Sequence, residues 1–144
     1  MIRPVRSEDV PALRRMMAGS NGYAEGPPRD MIVRYAATWA PEGKTFVLED
    51  EAGLAGFYEL IGWGERDCEL EAFFTADDRQ GRGVGRVLFD HMAGQARAAG
   101  AKAVLICSNP GAAEFYRRMG ARDAGVKPPS DAITWERPKL VLTL

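Results

Sequence analysis

The chain has 144 residues, enough for one domain with a sizeable hydrophobic core. Its 19 basic and 20 acidic residues give a net charge of −1, which excludes a general affinity for nucleic acid or membrane surfaces. It has no apolar stretch of about eighteen residues and no secretory leader pattern, so we expect one cytoplasmic domain over residues 1–144. The excess of arginine, 15 against 4 lysines, hints at a GC-rich bacterial source.

The cysteine and histidine content argues against a metal centre. Cys68 and Cys107 stand alone in strand-like runs, so we expect both to fill the core without pairing or binding a metal. His91 is the only histidine and falls on the apolar face of a predicted helix, which favours a structural role. We therefore predict no metal site and no Ser-His-Asp triad.

The first half of the chain predicts one strand, two helices and three further strands. The predicted strands lie at residues 1–6, 44–49, 54–63 and 68–75. Turns at 50–53 and 62–67 separate the last three, and the first of these turns closes a hairpin. We expect Ser7 to cap a helix that ends near Ala18. After a loop rich in glycine and proline, Asp30 is expected to cap a helix that ends near Trp39.

The second half predicts alternating helices and strands. A helix over residues 84–99 ends at Gly100, which is typical of a C-terminal cap. The short apolar strand at 103–107 is consistent with a parallel neighbour inside a βαβ unit. A helix at 110–119 and two closing strands complete the order of elements. The closing strands are predicted at 122–126 and 139–144.

The segment Arg79–Gly85, with the sequence RQGRGVG, predicts an anion-binding turn. It lies between a strand and the start of a helix, where backbone N–H groups lack partners and carry partial positive charge. Its alternating glycines leave out side chains that would keep a phosphate from those amides. Arg79, Arg82 and Arg86 add positive charge where a polyphosphate would lie.

Two common phosphate-binding motifs do not fit this turn. A Walker A loop requires Gly-Lys followed by Ser or Thr, and none follows here. The dinucleotide fingerprint requires GxGxxG after the first strand of its βαβ unit, whereas these glycines are at 81, 83 and 85, with several strands before them. From the turn alone, a flexible connection without a ligand stays open as the alternative.

A second informative segment, residues 109–121, follows the next predicted strand. Asn109 is expected to cap a helix with one stripe of apolar and aromatic residues. The stripe consists of Ala112, Phe115, Tyr116 and Met119. Strand ends and helix starts gather at one edge of a βαβ unit, so we expect Asn109 and the Tyr116 hydroxyl to lie near a ligand held by the glycine turn.

These two segments resemble the motifs of the GNAT superfamily of acyl-CoA-dependent N-acyltransferases. RQGRGVG is similar to its acyl-CoA loop. The run from Asn109 to Gly120 looks like the family's following element, with its Asn, its aromatic-Tyr pair and its helix-ending Gly. The order of predicted elements also matches over nearly the whole chain. The resemblance implies a single-domain α/β fold of the α+β type, with a mixed central sheet of six or seven strands flanked by about four helices.

The resemblance also implies acetyl-CoA as the acyl donor, with no metal. The coenzyme's phosphates suit the arginines and amides of the turn. In the family the pantetheine arm adds as a strand to the end of the strand before the turn. The implied coenzyme-binding residues are Phe73, Phe74, Thr75, Gln80, Gly81, Arg82, Gly83, Val84, Gly85, Arg86, Asn109 and Tyr116.

Acetyl transfer to an amine requires a base, a donor for the developing oxyanion and an acid for the thiolate. Glu69 and Glu71 lie two apart on a strand and project to one face, so either is a candidate base, directly or through water. We prefer Glu71 because it is nearer the predicted thioester. An unpaired amide near Phe74 is the candidate oxyanion donor. Tyr116 matches the family's acid, a role that matters least because a thiolate with a pKa near 8.5 leaves readily.

By the same resemblance, the acceptor lies between the loops at residues 19–29 and 127–138. These loops offer Tyr23, Glu25, Asp131, Trp135 and Glu136. We expect a small-molecule amine as the partner, with no nucleic acid and no membrane, and the family's frequent pairing into homodimers is a further expectation. The alternatives are a protein or peptide N-acetyltransferase, a non-catalytic acyl-CoA-binding module and, more distantly, a dinucleotide-binding domain.

Overall fold

A computed structural model describes residues 1–62, 66–131 and 133–144. In these ranges the strands are β1 (Ile2–Pro4), β2 (Lys44–Asp50), β3 (Gly53–Ile61), β4 (Asp67–Thr75), β5 (Ala103–Cys107), β6 (Arg122–Lys127) and β7 (Arg137–Thr143). The α-helices are α1 (Val10–Ala18), α2 (Pro27–Thr38), α3 (Val84–Ala98) and α4 (Ala113–Arg118). Short 3-10 turns occupy Ser7–Asp9, Asp77–Arg79 and Pro110–Ala112. The predicted order of elements is confirmed.

The seven strands of the described ranges form one mixed sheet in the order β1-β2-β3-β4-β5-β7-β6. Neighbouring strands are antiparallel except for β4 and β5, which are parallel and which α3 connects along the chain. A parallel pair requires a crossover connection, and α3 supplies it. The βαβ unit predicted around the glycine turn is therefore present at the centre of the sheet.

Helices cover both faces of the sheet and divide the core into two clusters. On one face, α3 and α4 pack against the sheet through residues such as Leu88, Phe89 and Tyr116. On the other face, α1 and α2 pack through residues such as Leu13 and Ile32. Each fully buried large apolar side chain stabilises the fold by about 2 kcal/mol. Burial on both faces explains why β3 reads as a nearly continuous apolar run.

A bulge in β4 changes which face its side chains reach. In the pairing with β3, Leu60 lies opposite Leu70 and Glu59 lies opposite Ala72, so Glu71 is the extra residue. Leu70 belongs to the cluster beneath α3, whereas Ala72 belongs to the cluster beneath α1 and α2. Strict alternation would have kept these two residues on one face. The bulge therefore turns the end of β4 relative to its beginning.

Strands β4 and β5 separate beyond this bulge. Their parallel pairing covers Asp67–Leu70 and Ala103–Ile106 and ends there. Residues 71–75 of β4 continue past the last paired residue without a partner on β5. The sheet consequently has an opening between its two central strands, at the edge where α3 begins.

Two predicted helix caps are wrong. Ser7 lies in a 3-10 turn, and Asp9 takes the capping role by accepting the Arg6 N–H at 2.7 Å. Asp30 lies inside α2, which begins one turn earlier at Pro27, a residue whose fixed φ suits a first helical position. Asp30 still occupies the first turn, where a negative charge is favourable. Residues 63–65, which our predicted strand end and turn included, lie outside the described residues.

The isolated cysteines and the histidine have different environments. Cys68 is buried as expected, but Cys107 is exposed at the end of β5, so its predicted place in the core is wrong. His91 Nδ1 lies 2.8 Å from the Tyr58 hydroxyl, and its ring packs on Phe46 at 4.9 Å between centroids. These contacts are consistent with the structural role predicted for it. Throughout the described ranges, every helix is too short or too polar to cross a bilayer.

Candidate functional site

A cavity of about 690 Å³ lies where the end of β4 meets the first turn of α3 and the aromatic face of α4. Most of the residues expected to bind the coenzyme line it together. They are Phe73, Phe74, Thr75, Gln80, Gly81, Gly83, Val84, Gly85, Arg86, Asn109 and Tyr116. Arg82 is exposed next to them and does not contribute to this lining.

The glycine turn presents unused backbone donors to this cavity. Gly81 and Gly83 both have φ near +80°, a left-handed conformation that favours glycine. A Cβ on either would meet no protein atom within 4 Å, so the space in front of the turn is open. The N–H groups of residues 81–86 donate to no acceptor in the described parts of the chain. Such a row of free amides at a helix start is suited to a phosphate.

Of the three arginines proposed to attract a polyphosphate, Arg79 does not fit. Its guanidinium is buried and donates to Asp50 at 2.8 and 2.9 Å and to Asp78 at 2.7 Å. The same contact holds the pKa of Asp50 well below its usual range. Arg79 is therefore neutralised by protein carboxylates, and its contact with Asp50 connects the glycine turn to the β2–β3 hairpin. Arg82 and Arg86 are exposed and form no ion pair among the described residues.

Hydrogen bonds hold the loop between α1 and α2 across the mouth of the cavity. The Asn21 N–H donates to the Asp77 carboxylate at 3.2 Å, and Gln80 Nε2 donates to Asn21 Oδ1 at 3.2 Å. On the other side, Asn109 Nδ2 donates to the Gly22 carbonyl. The prediction that Asn109 caps the following helix is wrong, because its side chain makes no capping hydrogen bond. It fixes this loop against the end of β5 instead.

Tyr116 forms part of the wall between α4 and β4. Its residue is 6% exposed, and its ring contacts Phe73 and Phe115 edge-on at 6.0 and 5.4 Å between centroids. Burial raises the pKa of Tyr116 above its ordinary value, so the phenol keeps its proton at neutral pH. Within the described residues its hydroxyl makes no hydrogen bond. It is therefore a proton donor without a competing partner.

A second cavity, of about 830 Å³, lies on the face of the sheet beneath α2 and the β6–β7 hairpin. It shares part of its lining with the first cavity, and the shared residues flank the opening between β4 and β5. They are Tyr23, Leu70, Glu71, Phe74, Ile106, Cys107 and Asn109. The two cavities thus meet through the opening in the sheet.

The two candidate bases differ in position. Both Glu69 and Glu71 line the second cavity, but only Glu71 also reaches the first. Glu71 Oε1 accepts a hydrogen bond from the Tyr35 hydroxyl at 3.0 Å. Partial desolvation raises the pKa of Glu71, and the bond from Tyr35 works against that rise. Glu71 is therefore the carboxylate at the junction of the cavities.

The loops predicted to shape the acceptor site contribute their aromatic residues but not their acids. Tyr23 and Trp135 line the second cavity, and Tyr23 stacks on Phe74 at 6.1 Å between centroids. Glu25, Asp131 and Glu136 do not line it. The cavity acids come from β4 instead.

Sequence reasoning missed Tyr35 and three cations. Tyr35 lies on α2, far along the chain from the carboxylate it contacts, so no local pattern could reveal the pair. Lys127, Arg137 and Lys139 also line the second cavity. Arg137 and Lys139 lie two apart, a spacing that places both on one face of a strand, but our predicted strand began only at Lys139.

The described residues contain no group of three His, Cys, Asp or Glu side chains placed to hold a metal ion. What the site offers is backbone donors, exposed arginines, one carboxylate at a junction and one buried phenol.

Comparison with protein families agrees with this geometry. Residues 11–121 match the model of the acetyltransferase (GNAT) family. No curated protein matches the sequence at a significant level.

Several solved structures share the fold at low sequence identity. A GCN5-related N-acetyltransferase from Rhodopseudomonas palustris aligns with a TM-score of 0.83 and 18% identity, covering 100% of this chain and 95% of that one. A GNAT family acetyltransferase from Elizabethkingia anophelis with acetyl-CoA bound has a TM-score of 0.74 and 17% identity, covering 100% and 97%. The ribosomal-protein-S18-alanine N-acetyltransferase of Escherichia coli has a TM-score of 0.74 and 17% identity, covering 99% and 92%.

Proposed function

Because the chain belongs to the GNAT family of acetyl-CoA-dependent acetyltransferases, we propose that it moves an acetyl group from acetyl-CoA to the primary amine of a small molecule. The observation that carries this proposal is the junction of the two cavities at the opening between β4 and β5. A donor on one side and an acceptor on the other would meet there. Transfer is then a direct attack within a ternary complex.

The first cavity fits coenzyme A at both of its ends. The free amides of residues 81–86, with Arg82 and Arg86, suit the pyrophosphate. The unpaired edge of β4 at residues 71–75 suits an extended arm with amide groups, which adds to it as a strand would. When bound there, acetyl-CoA supplies a thioester whose carbonyl carbon accepts the amine.

Glu71 is the base in this proposal. A protonated alkylamine, with a pKa about 10, has no lone pair for attack, so a proton must leave its nitrogen. The Glu71 carboxylate lies at the junction and takes this proton, directly or through water. Its raised pKa makes it a stronger base than an ordinary surface glutamate. Tyr35 holds the carboxylate toward α2 through the 3.0 Å hydrogen bond.

Two further groups complete the transfer. As the C–N bond forms and the C–S bond breaks, negative charge develops first on the carbonyl oxygen and then on sulfur. We propose that a backbone N–H near Phe74, on the edge of β4 that does not pair with β5, donates to this oxygen. The Tyr116 phenol keeps its proton at neutral pH, donates it to the departing thiolate and regains a proton through solvent, which balances the proton that Glu71 took from the amine.

The acceptor cavity supports a small molecule over a polypeptide. Its volume of about 830 Å³ lies in the range of small-molecule sites. Residues from α2, the α1–α2 loop and the β6–β7 hairpin surround it, and Ile32, Trp135 and Arg137 are among them. An amine of moderate size would be enclosed on several sides.

Calorimetry with acetyl-CoA, followed by a thiol-release assay over a panel of amines and peptides, tests the proposal. We expect binding of acetyl-CoA and turnover with small amines. The double variant Arg82→Glu/Arg86→Glu should weaken acetyl-CoA binding about a hundredfold, since it replaces two attractive charges with repulsive ones. Arg97→Glu, in the last turn of the same helix, is the matched control and should bind normally.

Three results would contradict the proposal. Absence of heat with acetyl-CoA would remove its basis. Binding without transfer to any amine would indicate an acyl-CoA-binding module. Transfer to peptides alone would identify a protein or peptide N-acetyltransferase.

A further inference from the structure

The acceptor cavity has charges of both signs on separate strands. Its two carboxylates, Glu69 and Glu71, belong to β4. Its three cations belong to the hairpin on the other side of β5, with Arg137 and Lys139 on β7 and Lys127 on β6. Since β5 separates β4 from β7, the acidic and basic strands lie about 10 Å apart. A small molecule in the cavity would therefore contact acids at one end and bases at the other.

Within the described residues, the cations of this cavity have no ion-pair or hydrogen-bond partner. Lys127, Arg137 and Lys139 form no ion pair and donate no side-chain hydrogen bond to any described residue. The Nε atom of Arg137 is buried without an acceptor. A buried donor on a charged group is costly when it is left unsatisfied, and native structures rarely tolerate one. An acceptor from outside the protein would remove that cost.

Arg137 also lies near the junction of the two cavities. Its positive charge acts on the Tyr23 phenol, opposing the effect of burial that raises the pKa of Tyr23 to about 12. Tyr23 lines both cavities and stacks on Phe74. An anionic group held by Arg137 would therefore be close to the point of acetyl transfer and close to the reacting nitrogen.

We infer that the acceptor is an amine that also carries an oxyanion, as an amino acid does, with its anionic group bound by Arg137, Lys139 and Lys127 and its amino group directed toward Glu71. This inference rests on the proposed function. The planar guanidinium of Arg137 suits a carboxylate, which it can bind through two parallel hydrogen bonds. The same three cations would repel a polyamine, for which a lining of acids alone would be expected.

Matched pairs of amines test the inference, each pair differing by one carboxylate. Suitable pairs are L-phenylalanine with 2-phenylethylamine and L-leucine with 3-methylbutylamine; 1-aminoethylphosphonate with L-alanine distinguishes a phosphonate from a carboxylate. For each pair that the enzyme acetylates, we expect kcat/KM to be at least tenfold higher for the member that carries the carboxylate than for the member that lacks it. The gain should be mainly in KM, because the anion makes the same contact in the bound substrate and in the transition state.

Arg137→Gln should lower kcat/KM for the favoured carboxylate or phosphonate substrates about tenfold to a hundredfold. It should lower kcat/KM for the simple amine counterparts much less, and it should leave the affinity for acetyl-CoA unchanged, which shows that the variant is folded. Arg122→Gln is the control, because Arg122 is an exposed arginine of the same hairpin outside the cavity lining.

Two results would overturn the inference, and they are distinguishable. Equal turnover of both members of each pair, with no selective effect of Arg137→Gln, would refute the anion subsite while leaving amine acetylation intact. Acetylation of none of the amines would refute the proposed function, and the inference would fall with it.

Discussion

The position of Glu71 depends on a single extra residue in β4. The bulge that leaves Glu71 opposite no residue of β3 also turns Phe74 toward Tyr23 and ends the pairing with β5. The carboxylate therefore lies at an opening instead of within a continuous sheet. Tyr35 donates to it from α2 at 3.0 Å, and the pKa of Tyr35 is itself raised by burial, so this phenol stays protonated. In the proposed reaction, this pair is a base and its positioning partner.

Glu71→Gln should lower kcat about a hundredfold or more, because it removes the proton acceptor without changing its size. Glu69→Gln, two residues earlier on the same strand, should have a much smaller effect on kcat, because Glu69 does not line the first cavity, where acetyl-CoA is proposed to bind. Steady-state kinetics of the three proteins at one pH check this. A larger loss in Glu69→Gln would transfer the role of base to Glu69.

Tyr35→Phe should shift the acid limb of the kcat/KM profile to higher pH. Glu71 acts when it is deprotonated, so activity rises as pH increases through its folded pKa. The hydrogen bond from Tyr35 lowers that pKa, and its loss lets desolvation raise the value further. The profile of the variant is compared with that of the unmodified enzyme on the same amine. An unchanged acid limb would show that Glu71 is not the group that titrates.

Among the elements of the fold, the first turn of α3 both packs against α4 and presents the backbone amides that we propose bind the coenzyme. Gly83 precedes the helix with φ of 80°, and the six amides of residues 81–86 have no acceptor in the described ranges of the chain. Gly85 lies so close to α4 that an added Cβ would be 3.0 Å from Phe115 Cε1. The helix start is therefore packed against α4 on one side and open to the first cavity, the proposed coenzyme site, on the other.

Gly83→Ala and Gly94→Ala should have opposite effects on stability. At Gly83 the left-handed φ strains alanine, so we expect a loss of about 1 kcal/mol and weaker acetyl-CoA binding. Gly94 is exposed inside α3 with no atom near its added Cβ, so alanine should stabilise the protein by about 0.5–1 kcal/mol and leave coenzyme affinity unchanged. Urea unfolding and calorimetry measure both quantities. Normal coenzyme affinity in Gly83→Ala would argue against a preformed amide cradle.

At the scale of the whole molecule, a buried ion pair holds the first strand to the rest of the fold. Arg3 on β1 donates to both oxygens of Asp9 at 2.8 and 3.0 Å, and to Glu49 on β2 at 3.3 Å. Arg3 and Asp9 are both buried, so each would be costly without the other. Asp9 also accepts the Arg6 N–H at the start of α1. One carboxylate thus links the sheet edge to the first helix.

Asp9→Asn should destabilise the protein by roughly 3 kcal/mol at neutral pH, because it leaves the buried Arg3 with only the longer 3.3 Å contact to Glu49 to balance its charge. Glu8→Gln is the control: the Arg6–Glu8 pair is exposed at 3.9 Å and should be worth less than about 0.5 kcal/mol. Free energies of unfolding in urea give both values. Equal stability of the two variants would mean that the buried pair contributes no more than the exposed one.

The same pair gives a definite pH dependence. The hydrogen bonds from Arg3 lower the folded pKa of Asp9, so its contribution is complete above the unfolded value of about 3.9. That contribution is lost as pH falls through the lower folded pKa. The stability difference between the unmodified protein and Asp9→Asn should therefore narrow below about pH 4. A difference that stayed constant into acid would show that Asp9 does not titrate.

Much of the fold could be predicted because periodicity and turn residues are local signals. The strand at Ala103–Cys107 and the start of α3 at Val84 agree with prediction to the residue. The errors are at helix starts, where a contact with a residue outside the local pattern determines which side chain acts as the cap. The pattern favoured Ser7, but Arg3 binds Asp9, and Asp9 takes the capping role. The exposure of Cys107 was missed for a similar reason, because the separation of two strands cannot be read from either strand alone.

The order of elements, the family and the amide-rich turn could be read from the amino-acid sequence, because these depend on neighbours within a few residues. Three features became visible only in the folded chain: Arg79 is neutralised by Asp50, Tyr35 holds Glu71, and three cations face two acids across β5. Whether such a charged side chain forms an ion pair depends on which strands pair and where that pairing ends. That is settled by long-range packing, which no local pattern encodes.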